Sequence, residues 1–350
     1  VEADQQTQWR GFLRANPELA AALAKPDPVT AGLSIVIPTY NAIGTVEPLL
    51  RQLAALPEVQ GGEYEVVLTD DASTDGTVEQ LRLSFPGFVF VTSAHNSGFG
   101  ANANRGIERA TKGYVALLNT DIELVGNPFP ALLEELHKHD GTLAVMPLTY
   151  NTALGKVENL QYLKPSRGLV WNADLPAAEE YTQRLQPLTG GSAASVRLDA
   201  PAQVIGSLLC GACFICPASA LKLAGGFSPE FQPFYWEDVD LGFKLRCGGP
   251  GNPVGVVTNV AVIHRHSETI SKAHGARKLR FLRQNQLRFS VKWASLLRLP
   301  AQGWWLLVRA AREVLRGDFE LVAAYSAMGW GITLGKLGVA VFYTDSTRGG

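Results

Sequence analysis

An α/β fold, with a mostly parallel sheet flanked by helices, is what this 350-residue sequence predicts. Three observations lead there. Apolar, β-branched runs of strand length recur along the chain, and helix-length stretches separate them. Hydrophobic residues make up 46% of the chain and charged residues only 18%, below the roughly 25% charged content of ordinary soluble domains. Such a chain has material for a large core, and disorder is excluded as its main state.

Residues 1–30 contain a short amphipathic helix ending near Lys25-Pro26-Asp27-Pro28. Strands are then expected at Leu33–Ile37, Glu65–Leu68, Phe88–Val91, Tyr114–Leu118 and Thr142–Met146. Helices are expected between them, over Thr45–Leu56, Thr74–Leu83, Gly100–Ala110 and Pro128–His139. From Asn151 to Val204 the pattern breaks into a polar stretch with several prolines, which reads as an excursion or lid. Strand signal resumes at Val204–Ile215, a helix starts at Pro217, and a second helix covers Leu241–Cys247. Val254–Ile263 supplies the last strand. The final eighty or so residues read as helical, with Trp293, Trp304 and Trp305.

Charge is distributed unevenly. The net charge of −1 argues against a general nucleic-acid binder. Between Arg265 and Arg316, however, twelve Lys/Arg face only Glu268 and Glu313, a local excess of ten positive charges. A partner is to be sought at that end. Anionic lipid met through Lys/Arg and Trp is one reading, and a solvated face or an oligomer interface is the other. Leu321–Tyr343 is long enough to span a bilayer, but its four glycines and Lys336 fit a packed helix better. Val1–Arg14 is polar and mixed in charge, so no secretory signal is expected at this end.

The four cysteines do not build a disulfide fold. Cys210, Cys213 and Cys216 form a C-x2-C-x2-C run, which invites a metal reading. Its apolar surroundings favour a buried strand in which cysteine acts as a small hydrophobe. Reduced thiols fit a cytoplasmic protein.

In open parallel sheets, ligands bind outside the carboxyl ends of the strands. Those ends carry Pro38-Thr39-Tyr40-Asn41, then Asp70-Asp71-Ala72-Ser73-Thr74-Asp75-Gly76, then His95-Asn96-Ser97-Gly98, then Asn119-Thr120-Asp121. Asp70 and Asp71 are adjacent on an extended strand, so their side chains point apart and only one reaches the cleft. A carboxylate at a strand exit, such as Asp121, suits a hard divalent ion on a diphosphate, or caps a helix. Trp236-Glu237-Asp238 places two carboxylates beside an indole, which suits a general base or simply complements a helix dipole. His264 and His266 close a strand around Arg265, as metal ligands or as structural residues. Gly98-Phe99-Gly100 does not follow the first strand, so the dinucleotide fingerprint fails. A nucleotidyltransferase would want a glycine-rich basic loop after that strand, and there is none.

Six segments taken in order resemble the family 2 (GT-A fold) inverting glycosyltransferases. They are Ser34-Ile-Val-Ile-Pro-Thr-Tyr-Asn, Thr69-Asp-Asp-Ala-Ser-Thr-Asp-Gly-Thr, Asn96-Ser-Gly-Phe-Gly-Ala-Asn-Ala-Asn-Arg-Gly, Leu117-Leu-Asn-Thr-Asp-Ile-Glu, Phe234-Tyr-Trp-Glu-Asp-Val-Asp-Leu-Gly-Phe-Lys-Leu-Arg and Ala261-Val-Ile-His. The nearest flavour is that of bacterial rhamnosyltransferases and galactofuranosyltransferases of surface polysaccharides. The resemblance implies a GT-A, Rossmann-like domain over 31–272, with a nucleotide-binding half (31–150), a lid (151–203) and an acceptor and catalytic half (204–272). A helical extension (1–30) precedes it and a basic helical region (273–350) follows.

The resemblance also implies roles. Pro38, Thr39 and Tyr40 would lie at the nucleotide and Asp71 would bond the imide of its base. Asn96, Gly98, Asn104, Asn119 and Thr120 would line the sugar-nucleotide pocket. Asp121 and His264 would hold Mg²⁺ or Mn²⁺, although Asn119 replaces the first Asp of the family's DxD motif. Asp238, with Glu237 beside it, would deprotonate the acceptor hydroxyl near Trp236. The implied activity is transfer of a sugar, rhamnose as first choice, from a dTDP- or UDP-sugar to a saccharide or lipid-linked saccharide. The alternative is a catalytically silent sugar-nucleotide-binding protein. The place of action would be the cytoplasm, or the cytoplasmic face of the inner membrane through the basic helices, with oligomeric state left open.

Overall fold

The computed structural model describes residues 26, 31–139, 142–166, 169–185, 201–246, 253–265 and 278–293. The N-terminal amphipathic helix, Cys247, His266, the apolar stretch 321–343 and most of the basic region lie outside these residues. Among the described residues no helix is long and apolar enough to cross a membrane.

The alternation read from the sequence is borne out. Strand β1 (Leu33–Thr39) leads to helix α1 (Ile43–Ala54) and a short α2 (Pro57–Gln60). Strand β2 (Tyr64–Asp70), helix α3 (Thr77–Ser84), strand β3 (Val89–Thr92) and helix α4 (Phe99–Arg109) follow. Next come β4 (Tyr114–Leu118), a short β5 (Ile122–Leu124), helix α5 (Phe129–Lys138) and β6 (Ala144–Asn151).

Two segments depart from expectation. The first part of the excursion is built rather than irregular. It carries β7 (Lys156–Val157), the two-stranded sheet of β8 (Gln161–Ser166) and β9 (Leu169–Asp174), and helix α6 (Ala177–Leu185). Polar side chains and Pro165 hid strands that are short or make a separate ribbon, where period-2 burial is weak. The run Val204–Ile215 splits into β10 (Val204–Gly206) and β11 (Cys213–Pro217), because residues 207–212 leave the sheet. Helix α7 (Ala218–Leu223), helix α8 (Glu237–Arg246), strand β12 (Val254–His264) and helix α9 (Lys278–Lys292) complete the described elements.

The main sheet has the order β10-β12-β6-β11-β4-β1-β2-β3, with β5 on β12 and β7 on β6. Strands β4, β1, β2 and β3 are parallel to one another, as crossover helices require. Strand β11 runs antiparallel to both β4 and β6, while β6 and β12 pair in parallel. Alternate residues feed two cores on the two faces. Val36 of β1 joins one, while Leu33, Ile35 and Ile37 join the other. Between β4 and β2 the chain order reverses around β1, the place where an open α/β sheet leaves a crevice.

The chain divides into two compact units, Val1–Tyr162 with Ala173–Lys278, and Leu163–Asn172 with Leu279–Gly350. Within the second, the Gln286 side-chain amide donates to the Val170 carbonyl (2.8 Å), and the Val170 N–H donates to Ser290 Oγ (3.2 Å). The first unit contains the cleft described next.

Candidate active site

A cleft of about 440 Å³ lies at the carboxyl ends of β1, β2 and β4. Its size falls within the roughly 300–1,000 Å³ of small-molecule sites. Tyr40, Asp71, Asn96, Gly98, Asn119, Thr120, Asp121, Glu237, Asp238 and His264 line it, so most of the sequence-predicted residues converge. Pro38 and Thr39 do not reach it; they are buried in β1 and back it from within the sheet. Trp236 is also buried and outside the lining, directly before the two acids.

Asn104 is a correction. Its side chain faces away from the cleft, accepting the Phe227 N–H (2.7 Å) and donating to the Phe227 carbonyl (2.9 Å). On α4 only one face looks into the cleft, and Asn104 lies on the face that binds the turn at Gly226-Phe227.

Asp70, the last residue of β2, and Asp71, the first beyond it, point apart. Asp70 accepts the Ser73 N–H (2.9 Å) and hydroxyl (2.5 Å), shaping its own loop. Asp71 accepts the N–H groups of Ser97 (2.9 Å) and Gly98 (2.8 Å) on one oxygen. Its other oxygen takes the Ser97 hydroxyl (2.8 Å) and the Arg105 guanidinium (2.6 Å). A carboxylate offers about four acceptor positions, and here four donors occupy them. Asp71 therefore anchors the 97–98 loop at the cleft wall, a job that the adjacent acids alone did not reveal.

The backbone is strained where it enters the cleft. Asn41, Ala72, Tyr235 and Trp236 all have left-handed φ, at 46°, 64°, 76° and 72°. For two consecutive aromatic residues this is costly, and such outliers concentrate at functional sites. The turn it makes delivers Glu237 and Asp238 at the first turn of α8. Asp238 accepts the Gly211 N–H (2.9 Å) and the Val239 N–H (2.8 Å). The 207–212 segment is thus what fixes this carboxylate. Burial raises the Asp238 pKa above its ordinary value, opposed by those backbone N–H bonds. Glu237 is pushed up further, by burial and then by the Asp238 charge. Its Oε2 is buried without a hydrogen-bond partner among the described residues. Of the pair, Asp238 is the one whose anion is held by donors, and Glu237 is the one that burial pushes towards its protonated form.

Asp121 and His264 meet across 143 residues because of strand pairing. Strand β12 runs antiparallel to β5 with His264 opposite Ile122, and the Arg265 N–H donates to the Asp121 carbonyl (3.0 Å). His264 Nε2 then lies 3.1 Å from Asp121 Oδ1. Its Nδ1 lies 2.5 Å from Glu158 Oε1, a partner that sequence reasoning missed. No motif marked Glu158, which sits in the supposed excursion just after β7. Leu154, Lys156 and Gln161 of the same segment also line the cleft.

Burial would lower the His264 pKa, but bonding to Asp121 and Glu158 outweighs it and raises it to about 10. A group whose pKa is raised on folding adds stability below its unfolded value, near 6.5, and that contribution fades as pH rises through the folded value. In chelator-treated protein, the stability gap between wild type and His264→Gln is therefore expected to be widest below pH 6.5 and to narrow towards pH 10. Urea unfolding at several pH values measures it, and a gap constant with pH would contradict the ion triad.

The three cysteines of the run point to different places and do not converge on one ligand point. Cys213 and Cys216 are fully buried on opposite faces of β11, and burial pushes the Cys213 thiol up to about 12. Cys210 departs from expectation by lining the cleft instead of lying in a strand. Burial, followed by the charges of Glu158 and Asp238, keeps its thiol protonated. That is the inert form.

Fold and site together support a class, and comparison with known proteins agrees. Residues 34–188 match the family model for Glycosyl transferase family 2. This supports a glycosyltransferase domain on a GT-A-like sheet. Among curated proteins, the poly-beta-1,6-N-acetyl-D-glucosamine synthase of Staphylococcus aureus is 29% identical over 138 residues, covering 37% of this chain and 32% of that protein. The dodecaprenyl-phosphate galacturonate synthase of Rhizobium johnstonii is 30% identical over 124 residues, covering 34% of this chain and 37% of that protein. These matches span about a third of the relatives' length. Among solved structures, a mannosyltransferase from Pyrobaculum calidifontis aligns over 97% of this chain and 87% of its own, at 15% identity and a TM-score of 0.49.

Proposed function

We propose that this chain is an inverting, divalent-metal-dependent glycosyltransferase using a uridine- or deoxythymidine-diphosphate sugar, with a saccharide or lipid-linked saccharide hydroxyl as acceptor. One observation carries the reading: a single cleft at the sheet's switch point holds both the Asp121–His264 pair and the Glu237–Asp238 pair.

Inverting transfer needs a base on one side of the anomeric carbon and a stabilised leaving group on the other. Asp238, buried and anchored by two N–H groups, is the base for the acceptor hydroxyl. Glu237 beside it is pushed towards its protonated form by burial, which leaves Asp238 as the better-held anion. Tyr40, Asn96 and Gly98 line the part of the cleft nearest β1 and β3, which suits the nucleoside, and Asp71 keeps the 97–98 loop in place.

The lining carries Asp71, Asp121, Glu158, Glu237 and Asp238 against Lys156 and His264. With Asp71 balanced by Arg105 and Glu237 pushed towards its protonated form, Asp121, Glu158 and Asp238 still outnumber Lys156 and His264, and added positive charge favours a diphosphate there. Asp121 and His264 fit a divalent ion, with a carboxylate oxygen and an imidazole nitrogen side by side. Among the described residues no three His, Cys, Asp or Glu side chains form a cage, consistent with a site that the donor's own phosphates complete. When bound, Mg²⁺ or Mn²⁺ supplies the charge that stabilises the departing nucleoside diphosphate.

Rhamnose is our first choice of sugar. The names of the two relatives point to N-acetylglucosamine and galacturonate, so these belong in the same screen. The test is donor hydrolysis and transfer over a panel of UDP- and dTDP-sugars with Mn²⁺ and with chelator. Turnover of one donor, lost on chelation, is expected. Binding of donors without any turnover would replace this reading by a silent sugar-nucleotide-binding protein.

A further inference from the structure

We propose that Glu158 is a positioning residue for His264, fixing the imidazole as its Nδ1–H form so that Nε2 faces Asp121 as a metal ligand. The inference rests on the metal-dependent reading above and deepens it. An imidazole binds an ion only through a nitrogen that carries no proton, so an ion at Nε2 displaces to solvent the proton shared there with Asp121, and the remaining ring proton must stay on Nδ1. An outer carboxylate on Nδ1–H imposes that form and fixes the ring plane.

The geometry at Glu158 suits this task. The hairpin of β6 and β7 pairs Asn151 with Lys156, and β6 pairs Asn151 with His264 of β12. Glu158 follows β7 directly, and its N–H donates to the Thr149 carbonyl (3.0 Å). Its two carboxylate oxygens are divided. Oε1 lies 2.5 Å from His264 Nδ1, while Oε2 accepts the Asn151 side-chain N–H at 2.5 Å. Asn151 is 1% exposed, and its own oxygen accepts the Leu154 N–H (2.9 Å). The chain of contacts runs from a tight turn through Asn151 and Glu158 to the ring, with Asn151 donating and the Glu158 carboxylate accepting. Asn151 can only donate to Oε2, which holds the carboxylate in place and leaves Oε1 to the imidazole. With Gln at 158, an amide N–H either confronts the Asn151 donor or turns towards the ring and favours the opposite tautomer.

The experiment titrates Mn²⁺ calorimetrically into UDP-saturated full chain, for wild type, Glu158→Gln, Glu158→Asp, His264→Ala and Asp121→Ala. Glu158→Gln should weaken Mn²⁺ binding about 10- to 100-fold, the usual loss for an outer-shell partner, with Glu158→Asp recovering part of it. In parallel, nitrogen NMR of the His264 ring with Mg²⁺ and UDP should show Nδ1–H in wild type and lose that form in Glu158→Gln. If His264→Ala and Asp121→Ala bind Mn²⁺ like wild type, the metal reading itself fails and takes this inference with it. If those two lose the ion but Glu158→Gln binds normally, or binds weakly while keeping Nδ1–H, the positioning role is wrong and the metal reading stands.

Discussion

Asp238→Asn is expected to lower turnover by about 10²- to 10⁴-fold, the range for loss of a general base, with donor affinity close to wild type. The substitution keeps the size of the side chain and an oxygen to accept one of the Gly211 and Val239 N–H bonds. What it removes is the lone pair that takes the acceptor's proton. Glu237 does not replace it, because burial, with no donor to Oε2 among the described residues, pushes that carboxyl towards its protonated form. Steady-state kinetics with donor titration separates kcat from KM. Near-normal turnover would reject Asp238 as the base, and an equal loss of donor affinity would make its role structural.

Asp121→Ala is expected to abolish the Mn²⁺-dependent part of donor binding. The loss should exceed the roughly 10- to 100-fold typical of an outer-shell change. Two effects combine. The ion loses its carboxylate oxygen, and His264 loses the partner on its Nε2 side. Asn119 cannot substitute, since a neutral amide offsets no ion charge. Calorimetric titration of UDP with Mn²⁺ and with chelator reads the effect. Unchanged metal dependence would sink the ligand assignment. Because the Asp121 carbonyl, not its side chain, pairs with the Arg265 N–H, the strand pairing that builds the cleft survives the change.

Element order was legible because burial on both faces of a parallel strand writes an unbroken apolar run, as in Leu33–Ile37 and Tyr114–Leu118. The acids at strand exits were legible for a related reason: Asp70, Asp71 and Asp121 stand where the apolar run stops. The 151–162 segment was not. Its strands are short or form a separate ribbon, and the carboxylate of Glu158 looks in sequence like any other surface acid. Asn104 and the anchoring bonds of Asp71 escaped for a different reason. A motif fixes which residue is present, while helix phase and local donors decide where its side chain is spent. On α4 that phase turns Asn104 to Phe227, and the 97–98 loop surrounds Asp71 with four donors.

By itself, then, the sequence determined an α/β chain with its chemistry at the strand ends, since hydrophobic period and chain breaks are local properties. The resemblance set Asp121 beside His264, but tertiary structure alone decided that Glu158 joins them. Their contacts depend on which strands pair and in what register, and hydrogen bonding across more than a hundred residues leaves no local trace.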